Sequence, residues 1–363
     1  MYENMKSVLV GVGQAGGKVS QALHAFDAEN GFGTVQNTVA VNTAKADLRS
    51  LSMETVLIGE ERVGGHGVGA DNELGAEIMQ SDVDQVMSAL DGRITAGAES
   101  IVVAAGLGGG TGSGGAPALV SELQRVYEIP VYVLGVLPGR NEGSIYQVNA
   151  GRSLKTVARE ADATVLVSND AWRESGESME EGFEAINNRI ARRIGLLFAA
   201  GELTGEVGES VVDSSEVINT LRSGQLASIG FASAQSAPDP AENIHTIMST
   251  ARNALFTNNS VPDVTTADAA LFVVVGDSDR IPRKGTVKAR QWLEDELGCM
   301  QVRAGDFPME NDRIAVIVLL GGIERSDRIQ ELLDRAREGM AEDDIEDVDS
   351  TESLVTDDLD GVF

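Results

Sequence analysis

The chain has 363 residues, long enough for two domains, and 42% of them are hydrophobic, which excludes a disordered protein. Fifty-seven acidic residues against 28 basic ones leave a formal net charge of −29, spread along the whole sequence, which disfavours direct nucleic-acid binding and reads as an adaptation to a salty cytoplasm. One cysteine, Cys299, and three histidines leave no material for a disulfide framework or a cysteine-based metal cluster, and no apolar run approaches a membrane span.

The N-terminus passes straight into SVLVGV (7–12), without a leader cleavage region, so the expected location is the cytoplasm. Further short runs of mostly β-branched character follow: TVAVN (38–42), TVLIG (55–59), SIVVAA (100–105), PVYVLGV (130–136) and ATVLVS (163–168). Helical spacing fills the intervals at 17–27, 73–90, 116–127 and 145–160. Runs that are apolar on both faces predict a parallel sheet covered on both sides. The expected fold class is therefore doubly wound α/β over residues 1–178, with ligands at the loops beyond the carboxyl ends of the strands.

Phe183, Ile186, Ile190, Ile194 and Leu197 recur at three and four residues and predict a long connecting helix over 179–201. Beyond it, QLASIGFAS (225–233), AALFVVVG (269–276), MQVRAG (300–305) and RIAVIVLLGG (313–322) read as strands. Helical patterns at 241–255 and 286–297 complete a second, smaller α/β unit, 202–335. Residues 336–363 turn acidic and lose periodicity, the signature of a disordered tail whose last apolar residues are a candidate docking peptide for a protein partner.

Two glycine clusters carry the chemistry. Ala104–Ala116, AAGLGGGTGSGGA, places seven glycines among thirteen residues behind a strand and ahead of a helix. Glycine is entropically costly in ordered backbone. A backbone that must bring its N–H groups against a phosphate at a helix N-terminus gives a reason for the cost; a flexible linker does not usually sit between strand and helix. The second cluster, Gly11-Val-Gly-Gln-Ala-Gly-Gly17, repeats the strand–glycine–helix order. Alone it fits the dinucleotide fingerprint and a nicotinamide-dependent oxidoreductase, but the next strand ends in Asn42-Thr43-Ala44, without the ribose-binding acid. A Walker A loop is not present either.

GLGGGTGSG (106–114), with GVGQAGGK, VNTAKADL, GVGADNELG, SNDAW, FEAINN and VVDSSEV in the same order, resembles the tubulin and FtsZ superfamily of GTPases over roughly residues 7–330. The AINN and VDSSE variants and the acidic composition are most similar to its haloarchaeal CetZ branch, associated with cell shape. The resemblance implies GTP/GDP with Mg²⁺, and head-to-tail assembly of identical subunits into filaments. It implies phosphate contacts from Gly108, Gly109, Gly110, Thr111, Gly112 and Ser113, and from Gly13, Gln14, Ala15 and Gly16. Gly69, Ala70 and Asp71 fall where the family senses the terminal phosphate, which makes Asp71 a candidate to hold Mg²⁺ through water; otherwise it is a surface turn.

Glu142 matches the ribose-binding carboxylate, and Asn169 and Asn187 match the positions that read the base, since an amide offers both donor and acceptor to guanine. Phe183 would stack on the base, although its spacing alone reads as core. Asp213 and Glu216 match the acidic pair that polarises the attacking water of the neighbouring subunit's nucleotide; on sequence alone Asp213 is a helix cap. Val211 and Ala44 depart from the FtsZ pattern, where an asparagine and an aspartate are usual. An FtsZ-type division protein and a non-hydrolysing, nucleotide-gated interaction module are the alternatives.

Overall fold

A computed structural model describes residues 5–171, 179–200, 212–264, 266–323 and 326–339. The expected Val211 and the tail beyond 339 lie outside these residues.

Among the described residues ten strands form one sheet: β1 (Ser7–Val12), β2 (Val35–Asn42), β3 (Glu54–Leu57), β4 (Ser100–Gly106), β5 (Val131–Leu137), β6 (Ala163–Ser168), β7 (Leu226–Gln235), β8 (Ala269–Gly276), β9 (Gln301–Pro308) and β10 (Arg313–Gly321). Their order is β3-β2-β1-β4-β5-β6-β7-β10-β8-β9. The first six strands are mutually parallel. β10 runs antiparallel to β7 and β8, and β8 and β9 are parallel. The strands expected for a second unit thus continue the same sheet, through the pairs Thr164–Leu226 and Val165–Ala227.

The helices are α1 (Gly13–Asn30), α2 (Lys45–Leu48), α3 (Glu60–Val63), α4 (Asn72–Leu90), α5 (Gly110–Val126), α6 (Ser144–Glu160), α7 (Met179–Ala199), α8 (Ser214–Leu221), α9 (Asn243–Arg252), α10 (Arg283–Leu297) and α11 (327–339). Strand alternation sorts them between two cores. Val10 and Val12 face a cluster with Ile78 of α4, Leu119 of α5, Leu154 of α6, Ile247 of α9, Leu293 of α10 and Leu332 of α11. Leu9 faces the opposite side, with Leu23 of α1, Ile190 and Ile194 of α7, and Val217 of α8. Each fully buried aliphatic side chain contributes about 1.5–3 kcal/mol, so strands apolar on both faces are what a sheet covered twice requires.

Two helices begin earlier than their apolar spacing predicts: α1 at Gly13 and α5 at Gly110. Glycine is a poor helix former, so neither start is legible from propensity. Packing holds them. A Cβ on Gly114 would overlap the Asn72 carbonyl oxygen of α4, and one on Gly16 would overlap the Ala104 carbonyl oxygen of β4. Pro117 stands inside α5 and cannot donate to the Ser113 carbonyl; Ser153 Oγ of α6 donates to it instead, at 2.8 Å. Helix α11 was also not legible as an element. It lies along α6 so closely that a Cβ on Gly151 would overlap the Leu332 carbonyl oxygen.

Candidate functional site

The carboxyl ends of β1, β4 and β5 feed α1, α5 and α6. These three helices share two properties: no side chain caps the N-terminus, and no acidic residue stands in the first turn. Helices α9 and α10 share these properties too, whereas α4 is capped by Asp71 and α8 by Asp213, each with a glutamate in its first turn; what sets α1, α5 and α6 apart is that they start together. The free N–H groups and the positive end of the dipole are thus left unneutralised in α1, α5 and α6. The three termini are adjacent. The position of a Cβ on Gly13 is 3.0 Å from Gly112 N, and that of a Cβ on Gly108 is 3.0 Å from the Tyr146 carbonyl oxygen.

The glycines divide into two kinds. Those at 106, 110, 112 and 114 are pressed by neighbouring chain: a Cβ on Gly110 would lie 2.6 Å from the Gly69 oxygen, and one on Gly112 2.5 Å from the Gly106 oxygen. Gly109 and Gly69 have open space where a Cβ would be. Gly109 sits at φ −77°, a conformation any residue adopts, so the backbone does not require glycine there. Gly69, at φ 59°, is left-handed. Gln14 is exposed, Ala15 half-exposed and Gly16 buried.

The hydroxyls of the glycine loop are engaged with the protein. Thr111 Oγ1 lies 2.7 Å from Thr43 Oγ1, and Ser113 Oγ donates back to the Gly109 carbonyl. Thr43 is presented by an Asn42 turn, in which Oδ1 accepts from the backbone N–H groups of Thr43 and Ala44. Ala44, the departure from the FtsZ pattern, pairs with His66 in an isolated bridge.

Gly69, Ala70 and Asp71 lie beside this loop, since Gly110 N–H donates to the Gly69 carbonyl. Asp71 is exposed, and its Oδ1 accepts from Leu74 N–H at 2.9 Å. Among the described residues no group of three or more potential ligands could hold a metal ion by itself. A single exposed carboxylate beside a glycine loop fits Mg²⁺ only in company with a substrate's phosphates, since that ion keeps several waters and uses one or two carboxylates.

Sequence reasoning missed Asn149, buried on α6, whose Nδ2 donates to the carbonyls of Ala70 and Gly108 at 2.7 and 3.1 Å. It ties the Gly69–Asp71 loop to the glycine loop after β4. The available signal was an amide on the apolar face of an amphipathic helix.

Glu142 and Asn169 come together at the end of β5 and β6. Glu142 Oε1 accepts from Gly139 N–H at 2.7 Å and from Asn169 Nδ2 at 2.9 Å. Phe183 and Asn187 stand one turn apart on α7, both half-buried. Among the described residues no hydrogen bond links them to the glycine loops.

Asp213 and Glu216 are not brought to this site. They open α8, which leads into the start of β7 beside Thr164, at the amino-terminal edge of the parallel strands. Asp213 Oδ1 accepts from Glu216 N–H at 3.1 Å and from Ser215 Oγ at 2.5 Å, so the capping role is real. Glu216 Oε2 is buried and has no hydrogen-bond partner among the described residues. Burial, reinforced by the neighbouring Asp213 carboxylate, raises its pKa above the usual range.

A doubly wound sheet with uncapped helix N-termini converging at its carboxyl edge is the architecture of a nucleotide-binding protein. The Tubulin/FtsZ family GTPase domain matches residues 6–177, and the Tubulin-like CetZ C-terminal domain matches residues 176–338. Tubulin-like protein CetZ2 of Haloferax volcanii is 63% identical over 99% of this chain and all of that protein. Among solved structures, a GTPγS-bound protofilament of CetZ2 from that organism superposes with a TM-score of 0.90 at 63% identity, covering 94% of this chain and 100% of the other. A GDP-bound CetZ1 monomer from the same organism superposes at 0.86 with 44% identity, over 93% and 100% of the two chains. The chain belongs to the tubulin/FtsZ family of GTPases, in its CetZ branch.

Proposed function

We propose that this protein binds GTP at the carboxyl edge of its sheet and hydrolyses it between the subunits of a head-to-tail filament, acting in the control of cell shape. The observation that carries the reading is the convergence of three helix N-termini without caps or acids, which favours a polyphosphate. Gly108–Gly112 and Gly13–Gly16 cradle the phosphates, with Gly109 and Gly69 leaving the room that the oxygens need. Glu142 accepts from the ribose with the oxygen that Gly139 and Asn169 leave available. Asn169 and Asn187 read guanine, and Phe183 stacks on it. Mg²⁺, held by the phosphates and by Asp71 through water, neutralises charge on the phosphates.

Asp213 and Glu216 act on the nucleotide of the next subunit. Their place at the edge of the sheet opposite the glycine loops supports this, because a carboxyl edge that meets an amino edge makes a heterologous contact that repeats along an open filament. The relative whose protofilament holds GTPγS supports it as well. The subunit operates in the cytoplasm; among the described residues no helix is long and apolar enough to cross a membrane.

The test is Glu216→Ala in molar KCl. GTP affinity stays at the wild-type level, while phosphate release falls by about 10²–10⁴-fold, the usual contribution of a positioned proton acceptor. Wild-type phosphate release per subunit rises with protein concentration. A variant that hydrolyses at the wild-type rate refutes the shared site.

A further inference from the structure

Among the described residues, the largest fully buried side chain belongs to neither glycine loop. Arg328, on α11, is fully buried, and it is directed at the loop between β5 and α6. Its Nη2 donates to the Pro138 carbonyl at 2.5 Å and to Gln147 Oε1 at 2.9 Å. Nη1 donates to Glu331 Oε2 at 3.1 Å, and Nε lies 3.9 Å from Asp170 Oδ2. Each neighbour in turn grips the same loop. Gln147 Nε2 donates to the Gly139 carbonyl, Asp170 accepts from Arg140 N–H, and Glu331 pairs with the Arg140 side chain. The loop so held contains Gly139, whose N–H fixes Glu142 Oε1.

An arginine this deep is desolvated at considerable cost, and its planar fork satisfies two acceptors in one plane as an ammonium does not. A hydrophobic residue would serve packing between α11 and α6 equally well. The fork is explained by what it holds.

We propose that Arg328 is a positioning residue for the nucleotide's sugar: from the last helix it sets the conformation of Pro138–Glu142, so that Glu142 presents its carboxylate to the ribose. This rests on the assignment of Glu142 above. By linkage, whatever shifts α11, the helix that precedes the acidic tail, changes nucleotide affinity, and bound nucleotide in turn steadies α11.

The experiment compares GDP with 2′,3′-dideoxy-GDP on the full chain in molar KCl, by calorimetry, for wild type, Arg328→Lys and, as a packing control on the same helix, Ile329→Val. Wild type prefers GDP. Arg328→Lys lowers GDP affinity by about tenfold and leaves dideoxy-GDP affinity within about twofold, while Ile329→Val keeps the wild-type ratio whatever it does to thermal stability. Where Arg328→Lys does not fold, Glu331→Ala supplies the answer, because it removes the acceptor of Nη1 with the arginine in place, and it gives a smaller loss of the same ratio. An unchanged ratio in the folded variant overturns the inference alone. A wild type that binds GDP without distinguishing the two sugars overturns it together with the Glu142 assignment; one that binds neither nucleotide overturns the proposed function.

Discussion

Thr43 and Thr111 join the end of β2 to the first turn of α5 through hydroxyls 2.7 Å apart, and both residues are buried. Thr111→Val leaves the Thr43 hydroxyl buried and unpaired, at a cost of about 1–3 kcal/mol, whereas Thr43→Val with Thr111→Val removes both partners and recovers most of the loss. Urea unfolding in molar KCl checks this. Under the proposed function GTP affinity stays reduced in both variants, because each lacks the hydroxyl that Thr111 would offer to a phosphate.

Two glycines five residues apart separate fold from binding. Gly114→Ala meets the Asn72 carbonyl and forces α4 and α5 apart, for which about 1–3 kcal/mol or more is expected. Gly109→Ala meets no atom within 4 Å and has an ordinary φ, so it melts at the wild-type temperature. Its methyl group enters the space assigned to phosphate, and GTP affinity falls by at least about tenfold. Equal effects of the two substitutions on melting temperature would contradict this division.

Asn149 supplies two hydrogen bonds to carbonyls of different loops. Asn149→Leu, similar in volume, strands both acceptors and lowers stability by about 1–3 kcal/mol. Hydrogen exchange locates the effect: amides of Gly69–Asp71 and Gly108–Gly110 lose protection, while those of β8 and β10 keep theirs.

The raised pKa of Glu216 makes stability depend on pH with a definite sign. Between the unfolded value of about 4.3 and the higher folded value, the native state binds more protons than the unfolded chain. Stability therefore falls as pH rises through that window. Glu216→Gln removes the buried charge, so it melts above wild type at pH 7, and the difference shrinks as pH falls toward 4. Thermal scans across that range would show a constant difference if the burial argument were wrong. The same substitution abolishes hydrolysis under the proposed function, so stability and turnover move in opposite directions.

Much of this protein was decided locally. Strands such as 7–12, 131–137 and 269–276 consist of residues that suit a buried sheet and little else, so their existence and their two-sided cover followed from the order of residues along the chain. The capping acid Asp213 was legible for the same reason, since a cap acts over three residues; Asp71, read as a surface turn or a Mg²⁺ candidate, turns out to cap α4. Glycines at 106–114 announced a close approach but not its object. Tertiary structure decided that some of them are there for α4 and β4 and that Gly109 faces open space. It also decided that the second unit continues the first sheet, that α5 begins at a glycine, and that Arg328 reaches Pro138 across 190 residues. Such contacts leave no periodicity in the sequence, because a hydrogen bond between distant segments constrains two residues and not the spacing of their neighbours.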